Sequence, residues 1–342
     1  MFYVGVDFHQ RMSCFCILNQ DGGVIKEQKV VGDWSAVMAE LSKIDRPFAV
    51  CYEASWAMGH LFEQLSRIAT RVVVANPGGL RMIWNTKRKT DRIDARKLAL
   101  TLLLDRIPAV HVPAKDVRAW RSLIEFRQRL ISRRTQIKNG MRALLRGQGV
   151  TARPGQGLWT AAGQTWLAAL ELPEVAALQR DMLLDELESM KPRLRRVDAA
   201  LRQRSNDNAG VQLLRTIPGV GVRTAETFVA YVDDAKRFAR NKQIGCYLGL
   251  IPREDTSVRR RYGHITGDGP ATVRKMLIEA AWQAVRRCPE IRARYERIKG
   301  PKPERNKIAI VATGHYLARV MLAMLQSGEA WRGEASPRTA AA

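Results

Sequence analysis

The chain has 342 residues, with 57 Lys and Arg against 33 Asp and Glu, and a formal net charge of +24. Its length predicts two or three domains, and a hydrophobic fraction of 46% supports a folded core, which excludes a mainly disordered protein. So large a positive surplus is costly through self-repulsion unless a polyanion neutralises it, and nucleic acid is the usual polyanion of the cytosol. Composition therefore favours a nucleic-acid-binding protein over a basic enzyme without such a partner.

Local patterns argue against several other classes. The five cysteines form no Cys-x-x-Cys pair and lack histidines at zinc-finger spacing, so neither a disulfide framework nor a structural zinc site is expected. Residues 1–7 have no basic region and end in an acid, which argues against a signal peptide. The apolar stretch 308–325 is interrupted by His315 and Arg319 and fits a buried helix better than a membrane span.

Residues 1–110 alternate between strand and helix patterns. Strands are predicted at 3–9, 13–19, 24–31, 48–53 and 72–75, and helices at 34–44, 58–68 and 90–104. The sequence Asp21-Gly22-Gly23 is a strong turn signal that joins the second and third strands in a hairpin. Three opening strands followed by alternating helices and strands are the element order of an α/β RNase H-like fold.

Residues 111–208 are predicted to form a helical coiled-coil. Apolar residues recur at three- and four-residue spacing between Leu123 and Leu144, and again between Leu183 and Leu201. The Gly- and Pro-containing connection between these two stripes predicts an antiparallel helical hairpin. Pro192 is predicted to kink or interrupt the second helix.

The first helix of this hairpin is strongly basic. It carries ten Lys and Arg residues against only Asp116 and Glu125, a surplus that internal ion pairs cannot neutralise. We therefore predict that this helix contacts nucleic acid. The residues assigned to that contact are Arg127, Arg129, Arg133, Arg134, Lys138, Arg142 and Arg146.

Residues 209–331 open with a turn, Ile217-Pro218-Gly219-Val220-Gly221, that leads into a helix. Free N–H groups at a helix N-terminus accept a phosphate, so Gly219 and Gly221 are predicted to contact nucleic acid in a turn that resembles a helix-hairpin-helix motif. Such a glycine pair also closes ordinary helical hairpins. The polar, Ala-rich residues 332–342 are predicted to be a disordered tail.

Four acidic residues are candidate metal ligands. Asp7 and Glu53 lie in apolar strand sequences without a basic neighbour, where a carboxylate is costly unless something binds it. Asp91 and Asp94 share one face of a predicted helix. Together these carboxylates would form an oxygen cage for Mg²⁺ that polarises a bound phosphate. Alternatively, Asp94 pairs with a basic neighbour such as Lys97, and Asp91 is only favoured by the helix dipole.

Several motifs resemble the insertion sequence 110 family of DEDD transposases, which includes pilin-type DNA invertases and RNA-guided bridge recombinases. They follow the family's order from Tyr3 to about Glu329 and are Gly5-Val6-Asp7-Phe8-His9, Tyr52-Glu53-Ala54-Ser55, Asn76-Pro77, Lys89-Thr90-Asp91-Arg92-Ile93-Asp94-Ala95 and Tyr247-Leu248-Gly249-Leu250-Ile251-Pro252-Arg253. The run from Lys89 to Ala95 is the most specific of these motifs.

The resemblance implies three domains and a tail. A RuvC-like domain over residues 1–110 would hold Mg²⁺ or Mn²⁺ and be followed by a coiled-coil over 111–208. A mostly helical transposase domain would occupy 209–331, and the disordered tail 332–342. The catalytic metal ligands implied by the family are Asp7, Glu53, Asp91 and Asp94.

The family also implies a serine that attacks the DNA phosphate. Its motif is Pro-Arg/Lys, two variable residues and Ser-Ser-Gly; here Thr256 and Ser257 occupy the serine positions, so Ser257 is the nucleophile, and Val258 replaces the glycine. A serine hydroxyl needs a base or a metal to activate it, and cations must neutralise the phosphate. The cations assigned here are Arg253, Arg259, Arg260 and Arg261, and His264 is a candidate phosphate contact or proton relay.

The partners implied by the family are donor and target DNA and a structured bridge RNA transcribed from the mobile element. The working form would be a dimer or tetramer with composite active sites, in the cytoplasm and associated with the nucleoid. In RNA-guided recognition, base pairing between RNA and DNA reads the sequence, while the protein contacts the shape and the phosphate backbone of the nucleic acids. Such a protein needs basic surfaces. Lys87, Arg88 and Lys89 are assigned to such a surface, together with the basic helix.

Three other functions are left open by the residues. A metal-dependent RuvC-type junction nuclease would cut with water and leave Ser257 unused. A sugar kinase-like ATPase would share the Gly-Val-Asp strand, but its second phosphate loop could only be residues 76–79, which lack the expected Ser or Thr. A catalytically silent nucleic-acid scaffold would have no activity for Asp7→Asn to remove.

Overall fold

The computed structural model describes residues 1–55, 57–83, 90–151, 157–255 and 261–333, with the backbone alone at residues 81–83, 255, 261 and 262. The chain forms two compact units, Met1–Arg118 and Ala119–Ala342. Each unit has its own hydrophobic core. The long helices and the helices that follow them belong to the same unit, and the domain boundaries at residues 110 and 208 stay predictions.

The first unit is built on a five-stranded mixed sheet. Its strands are β1 (Phe2–Asp7), β2 (Met12–Leu18), β3 (Val24–Val31), β4 (Phe48–Glu53) and β5 (Arg71–Ala75), in the order β3-β2-β1-β4-β5. The pairs β1–β2 and β2–β3 are antiparallel, whereas β1–β4 and β4–β5 are parallel. The five predicted strands are confirmed, and Gly22 has a φ of +81° at the predicted hairpin turn, where glycine avoids strain.

Helices cover both faces of this sheet. They are α1 (Trp34–Leu41), α2 (Met58–Leu65), α3 (Pro77–Ile83) and α4 (Asp91–Leu103). Val6 and Tyr52 pack in one core with the buried residues of α1 and α2, while Cys51 packs on the opposite face with Leu98 of α4. The three helices predicted for this unit are confirmed, and α3 is an additional one.

Gly5 determines how closely α4 approaches β1. A Cβ atom on Gly5 would lie 2.1 Å from the Ala95 carbonyl oxygen and 2.4 Å from the Ala99 backbone nitrogen. The helix backbone therefore lies directly against the strand, and any side chain at residue 5 would force the two apart. This close approach brings the first turn of α4 to the carboxyl end of β1.

We expect Gly5→Ala to destabilise the first unit by about 1–3 kcal/mol or more, because the added methyl group would overlap backbone atoms that cannot rotate away. Urea unfolding of the full-length protein measures the loss. Gly147→Ala is the matched control, since a Cβ at Gly147 would meet nothing within 4 Å. Equal midpoints for the two variants would contradict this account of α4 packing.

The second unit begins with an antiparallel helical hairpin. Its long helices are α5 (Lys115–Gly147) and α7 (Glu174–Asn206), each of 33 residues, and α6 (Ala161–Ala168) lies between them in sequence. The Arg133 Nε atom lies 2.6 Å from Glu186 Oε1, and the Arg204 guanidinium lies 5.2 Å from the Trp120 ring centre. Residues later in α5 thus contact residues earlier in α7, which confirms the predicted antiparallel arrangement.

Pro192 does not interrupt α7, contrary to one of the expected outcomes. The helix is continuous from Glu174 to Asn206. Proline removes one hydrogen bond, to the carbonyl four residues earlier, at Glu188. Glu188 and Pro192 are both exposed, so water can satisfy the carbonyl that has lost its donor.

Short helices and a β-ribbon complete the second unit. They are α8 (Ala209–Leu214), α9 (Val222–Val232), α10 (Gln243–Tyr247), β6 (Pro252–Asp255), β7 (Arg261–Ile265), α11 (Ala271–Arg287), α12 (Pro289–Lys299) and α13 (Asn306–Ser327). Among the described helices, only α13 with its preceding turn is long and apolar enough to cross a membrane. Leu317 and Met321 of α13 are fully buried with Phe228 and Leu277 in the core, which confirms the predicted buried helix.

Candidate functional site

Asp7 and Glu53 end two neighbouring parallel strands. Val6 pairs with Tyr52, so Asp7 and Glu53 follow at the same level of the sheet. Side chains alternate between the faces of a strand, and Gly5 and Cys51 face α4. The alternation therefore assigns Asp7 and Glu53 to the face that α4 covers.

Asp91 and Asp94 lie in the first turn of α4. Thr90 is the N-cap, and its hydroxyl accepts a hydrogen bond of 3.3 Å from the Ile93 backbone N–H. Acidic side chains in the first turn are favoured by the helix dipole. The same turn lies beside the end of β1, because Ala95, one turn further along the helix, packs on Gly5.

Three side chains meet at this point, and we call Asp7, His9 and Asp91 the acid–histidine cluster. His9 Nε2 lies 3.3 Å from Asp7 Oδ2 and 3.8 Å from Asp91 Oδ1, and one possible ligand atom from each residue lies within 4.8 Å of the others. Ser13 fixes the backbone of His9, since its Oγ accepts a hydrogen bond of 3.1 Å from the His9 N–H. Oxygen and imidazole nitrogen atoms at this separation are a donor set for a divalent cation.

The negative charge of Asp7 is not fully compensated by its neighbours. Burial raises the pKa of Asp7 above its ordinary value, and His9 opposes that rise. The neighbouring Asp91 and Asp94 carboxylates raise the pKa of Asp7 further. A divalent cation among these groups would relieve both the repulsion and the cost of burial.

The structure brings together part of the set predicted from the sequence. Asp7 and Asp91 meet in the cluster, and Asp94 is close enough to act electrostatically on Asp7. Asp94 also has Lys97 Nζ at 3.7 Å, the ion pair anticipated as its alternative role. Glu53 ends the adjacent strand but is outside the group of atoms within 4.8 Å. His9 was not predicted as a ligand, although its place just beyond β1 was a signal that could have identified it.

The basic helix α5 uses some of its charge internally. Arg127 Nε lies 2.7 Å from Asp198 Oδ1 of α7, and Arg223 bridges Asp198 to the buried Glu226. Arg133 pairs with Glu186, as described above. Arg127 and Arg133, two residues of the predicted nucleic-acid surface, therefore form ion pairs between helices of the second unit.

The remaining cations assigned to α5 have no ion pair within the described residues, and they are Arg129, Arg134, Lys138, Arg142 and Arg146. Lys138 Nζ and Arg142 Cζ lie 4.9 Å and 5.3 Å from the Trp159 ring centre. Burial, followed by the charges of Arg134 and Arg142, lowers the pKa of Lys138. Positive charge is thus concentrated here without acidic compensation, which suits contact with a polyanion.

The two glycines of the predicted phosphate turn differ in their surroundings. Gly219 has a φ of +94°, and a Cβ there would lie 2.4 Å from the Ala284 backbone nitrogen of α11, so this glycine serves helix packing. Gly221 is the N-cap of α9, and a Cβ there would meet nothing within 4 Å. Gly221 consequently leaves the start of α9 open to a ligand.

Several assigned residues lie outside the described part of the chain. These are the nucleophile candidate Ser257, its neighbour Thr256, the arginines Arg259 and Arg260, and the basic patch Lys87, Arg88 and Lys89. Arg261 is described by its backbone only. Arg253 lies on β6, where its Nη2 is 3.4 Å from the Thr266 carbonyl oxygen, and His264 is exposed on β7.

Comparison with known proteins defines the class of this chain. A family model of DEDD transposases of the IS110 type, described as "Transposase", matches residues 4–149, and the model "Transposase IS116/IS110/IS902 family" matches residues 211–296. Together they cover more than half of the chain, and the first includes the acid–histidine cluster. The class is that of transposases, enzymes that cut and rejoin DNA.

Relatives along most of the chain agree with this class. A probable family 20 transposase of Pseudomonas aeruginosa is 28% identical over 71% of this chain and 74% of its own length. A putative transposase y4pF/y4sB of Sinorhizobium fredii is 26% identical over 84% and 75% of the two chains. The transposase for insertion sequence element IS1111A of Coxiella burnetii is 24% identical over 81% and 76%. The chain belongs to the IS116/IS110/IS902 family of transposases.

Proposed function

We propose that this transposase cuts and rejoins DNA through a covalent serine–DNA intermediate and binds Mg²⁺ or Mn²⁺ in an RNase H-like, RuvC-like domain. The observation that carries the proposal is the meeting of Asp7 from β1 with Asp91 from α4, in a family whose activity is DNA transposition. The strand order β3-β2-β1-β4-β5 with helices on both faces supports the fold assignment. The metal ligands proposed are Asp7, Glu53, Asp91 and Asp94.

The residues present fit a hard divalent cation. Carboxylate oxygens are the ligands that Mg²⁺ prefers, and Asp7 with its raised pKa is a partly buried carboxylate in need of positive charge. When bound, the metal would polarise a phosphate oxygen and stabilise the charge that develops during displacement. Asp7 and Asp91 would hold it directly, with Asp94 and Glu53 beside them and His9 as an additional nitrogen donor.

We expect His9→Ala to weaken Co²⁺ binding about tenfold, or about 1.4 kcal/mol, while Mg²⁺ binding is retained. Imidazole nitrogen favours later first-row metals over Mg²⁺, which prefers oxygen. Calorimetric titration of the full-length protein with each metal measures both affinities. His264→Ala, which removes an exposed histidine of β7, is the matched control. Unchanged Co²⁺ affinity in His9→Ala would exclude His9 as a ligand.

Ser257 is proposed to form the intermediate. Its Oγ would bond to the phosphorus atom as the bond between phosphorus and a sugar oxygen breaks, and the hydroxyl of an exchanged strand would later displace the serine. The energy of the phosphodiester is retained in the ester, so resealing needs no ATP. Arg253 and Arg259 to Arg261 are proposed to neutralise the phosphate.

The alternative is a RuvC-type junction nuclease that uses water. The two functions differ in their products, because only the serine pathway leaves DNA attached to protein. The test is incubation of the full-length protein with Mg²⁺ and end-labelled DNA carrying the element ends, followed by denaturing gel electrophoresis. Labelled DNA that migrates with the protein and is released by protease supports the serine pathway, whereas cleaved DNA without such an adduct supports the nuclease.

A bridge RNA and an oligomer complete the proposal. The cations of α5 without ion pairs and the patch Lys87–Lys89 would contact RNA and DNA backbones. A dimer or tetramer would build each active site from residues of two subunits. The protein would act in the cytoplasm, associated with the nucleoid. Sequencing the RNA that co-purifies with the protein is the direct test. We expect a structured RNA with two loops, one complementary to the element ends and one to the insertion site. Its absence would remove RNA guidance from the proposal.

A further inference from the structure

Three basic side chains of α12 and α13 have buried nitrogen atoms without hydrogen-bond partners among the described residues. Arg294 lies on α12, and His315 and Arg319 lie one turn apart on α13; we call these residues the cation cluster. The atoms without a partner are Arg294 Nε, His315 Nε2 and Arg319 Nε. Buried polar atoms in native proteins are usually satisfied, and an exception points to a missing ion, water or ligand.

The cation cluster also lacks internal counter-charge. Neither Arg294 nor Arg319 forms an ion pair within the residues that the structure describes. Burial, followed by the charges of Arg319 and Arg294, lowers the pKa of His315. Another arginine of α12 differs in having hydrogen-bond acceptors, since Arg292 donates to the backbone carbonyls of Val285 and Arg286 at 2.9 Å and 2.8 Å.

The position of the cation cluster connects it with β6. A Cβ on Gly245 of α10 would lie 2.4 Å from His315 Nε2 and 3.1 Å from Ile251 Cγ2, so His315 packs close to Ile251. Ile251 immediately precedes β6, which leads in sequence towards Ser257. Arg294 is held in place by its guanidinium, which stacks over the Tyr316 ring at 4.2 Å.

We propose that Arg294 and Arg319 bind a phosphodiester group of the DNA substrate beside His315. Arginine guanidinium groups bind phosphate oxygens through paired hydrogen bonds, and an anion between two uncompensated arginines would supply the missing counter-charge. The ligand is DNA rather than RNA because the family acts on DNA. The proposal rests on that class of activity and is independent of the serine chemistry.

The test compares DNA binding by the full-length protein and by the double variant Arg294→Gln/Arg319→Gln. Fluorescence anisotropy with a short duplex at several salt concentrations gives the affinity and its salt dependence. Each lost phosphate contact reduces the slope of log K against log salt by about 0.9. We expect a reduction of about 0.9 to 1.8, with a weaker affinity for duplex DNA. Binding is the readout, so a result here does not depend on whether Ser257 forms an adduct.

Two controls keep this test decisive. Arg67→Gln/Arg106→Gln removes two exposed arginines from the first unit and so matches the change in net charge. Arg294→Lys/Arg319→Lys keeps the charge but loses the paired hydrogen bonds, and it should show intermediate affinity even if the Gln variant fails to fold. The proposal would be overturned if the two Gln double variants lost DNA affinity equally, or if Arg294→Gln/Arg319→Gln bound DNA as the parent does. It would also be overturned if the Lys variant had parental affinity, or if only RNA binding were lost.

Discussion

Asp7→Asn is expected to abolish strand cleavage while leaving the apo protein folded and at least as stable as the parent. Asparagine keeps the shape of the side chain but removes the charge that would bind the cation. A metal at a reacting phosphate contributes several kcal/mol, so the rate should fall by about 10³-fold or more. Calorimetry should show a parallel loss of Mg²⁺ binding.

The expected stability of Asp7→Asn follows from the raised pKa of Asp7. A carboxyl group with a raised pKa in the folded state stabilises the fold below its unfolded pKa, and that contribution is lost as pH rises through the folded pKa. At neutral pH the parent carries a partly buried carboxylate that is repelled by its acidic neighbours, and the variant lacks this charge. The stability of Asp7→Asn relative to the parent should therefore increase from acidic to neutral pH, as measured by urea unfolding in EDTA.

Asp21→Asn is the matched control for this experiment, because Asp21 is an exposed aspartate in the turn of the β2–β3 hairpin. It should leave cleavage, Mg²⁺ binding and stability unchanged. Full cleavage by Asp7→Asn would contradict the metal site, whereas a parent protein that cuts no DNA would be consistent with the silent-scaffold alternative. An unfolded Asp7→Asn protein would contradict the electrostatic account of Asp7.

Much of the first unit could be predicted because its signals are local. The Asp-Gly turn between two short strand sequences defines the β2–β3 hairpin, and Thr90 before Asp91 marks the start of α4. Helix α3 was missed because it begins with Pro77-Gly78-Gly79, residues that favour turns. Proline is nevertheless compatible with the first position of a helix, since the N–H that it lacks has no partner there.

The site was only partly predictable because its assembly depends on contacts distant in sequence. The acids of β1 and α4 were identified by residue type, but their meeting requires Gly5 to accept the backbone of α4 at close range. His9 was overlooked although it follows β1 closely, because its approach to Asp91 depends on the same packing of α4 on β1. Likewise, the pairing of Arg127 with Asp198 joins residues of separate helices, so counting charges on α5 overestimated the charge left for nucleic acid.

Ser257→Ala is expected to eliminate both strand cleavage and the protein–DNA adduct while Mg²⁺ and DNA binding are retained. Alanine removes the Oγ atom that is the nucleophile of the proposed chemistry, and the acids of the first unit are untouched. The loss should be complete within detection, because an acyl- or phosphoryl-type covalent route ends when its nucleophile is removed. Adduct formation and cleavage are measured on the same denaturing gels.

Thr256→Ala is the control, since Thr256 carries the neighbouring hydroxyl and occupies the first serine position of the family motif. It should keep cleavage and the adduct if Ser257 is the nucleophile. Loss of the adduct in Thr256→Ala with retention in Ser257→Ala would transfer the role to Thr256. Continued cleavage without an adduct in Ser257→Ala would instead identify water as the nucleophile, because the metal-binding acids alone would then be sufficient for cutting.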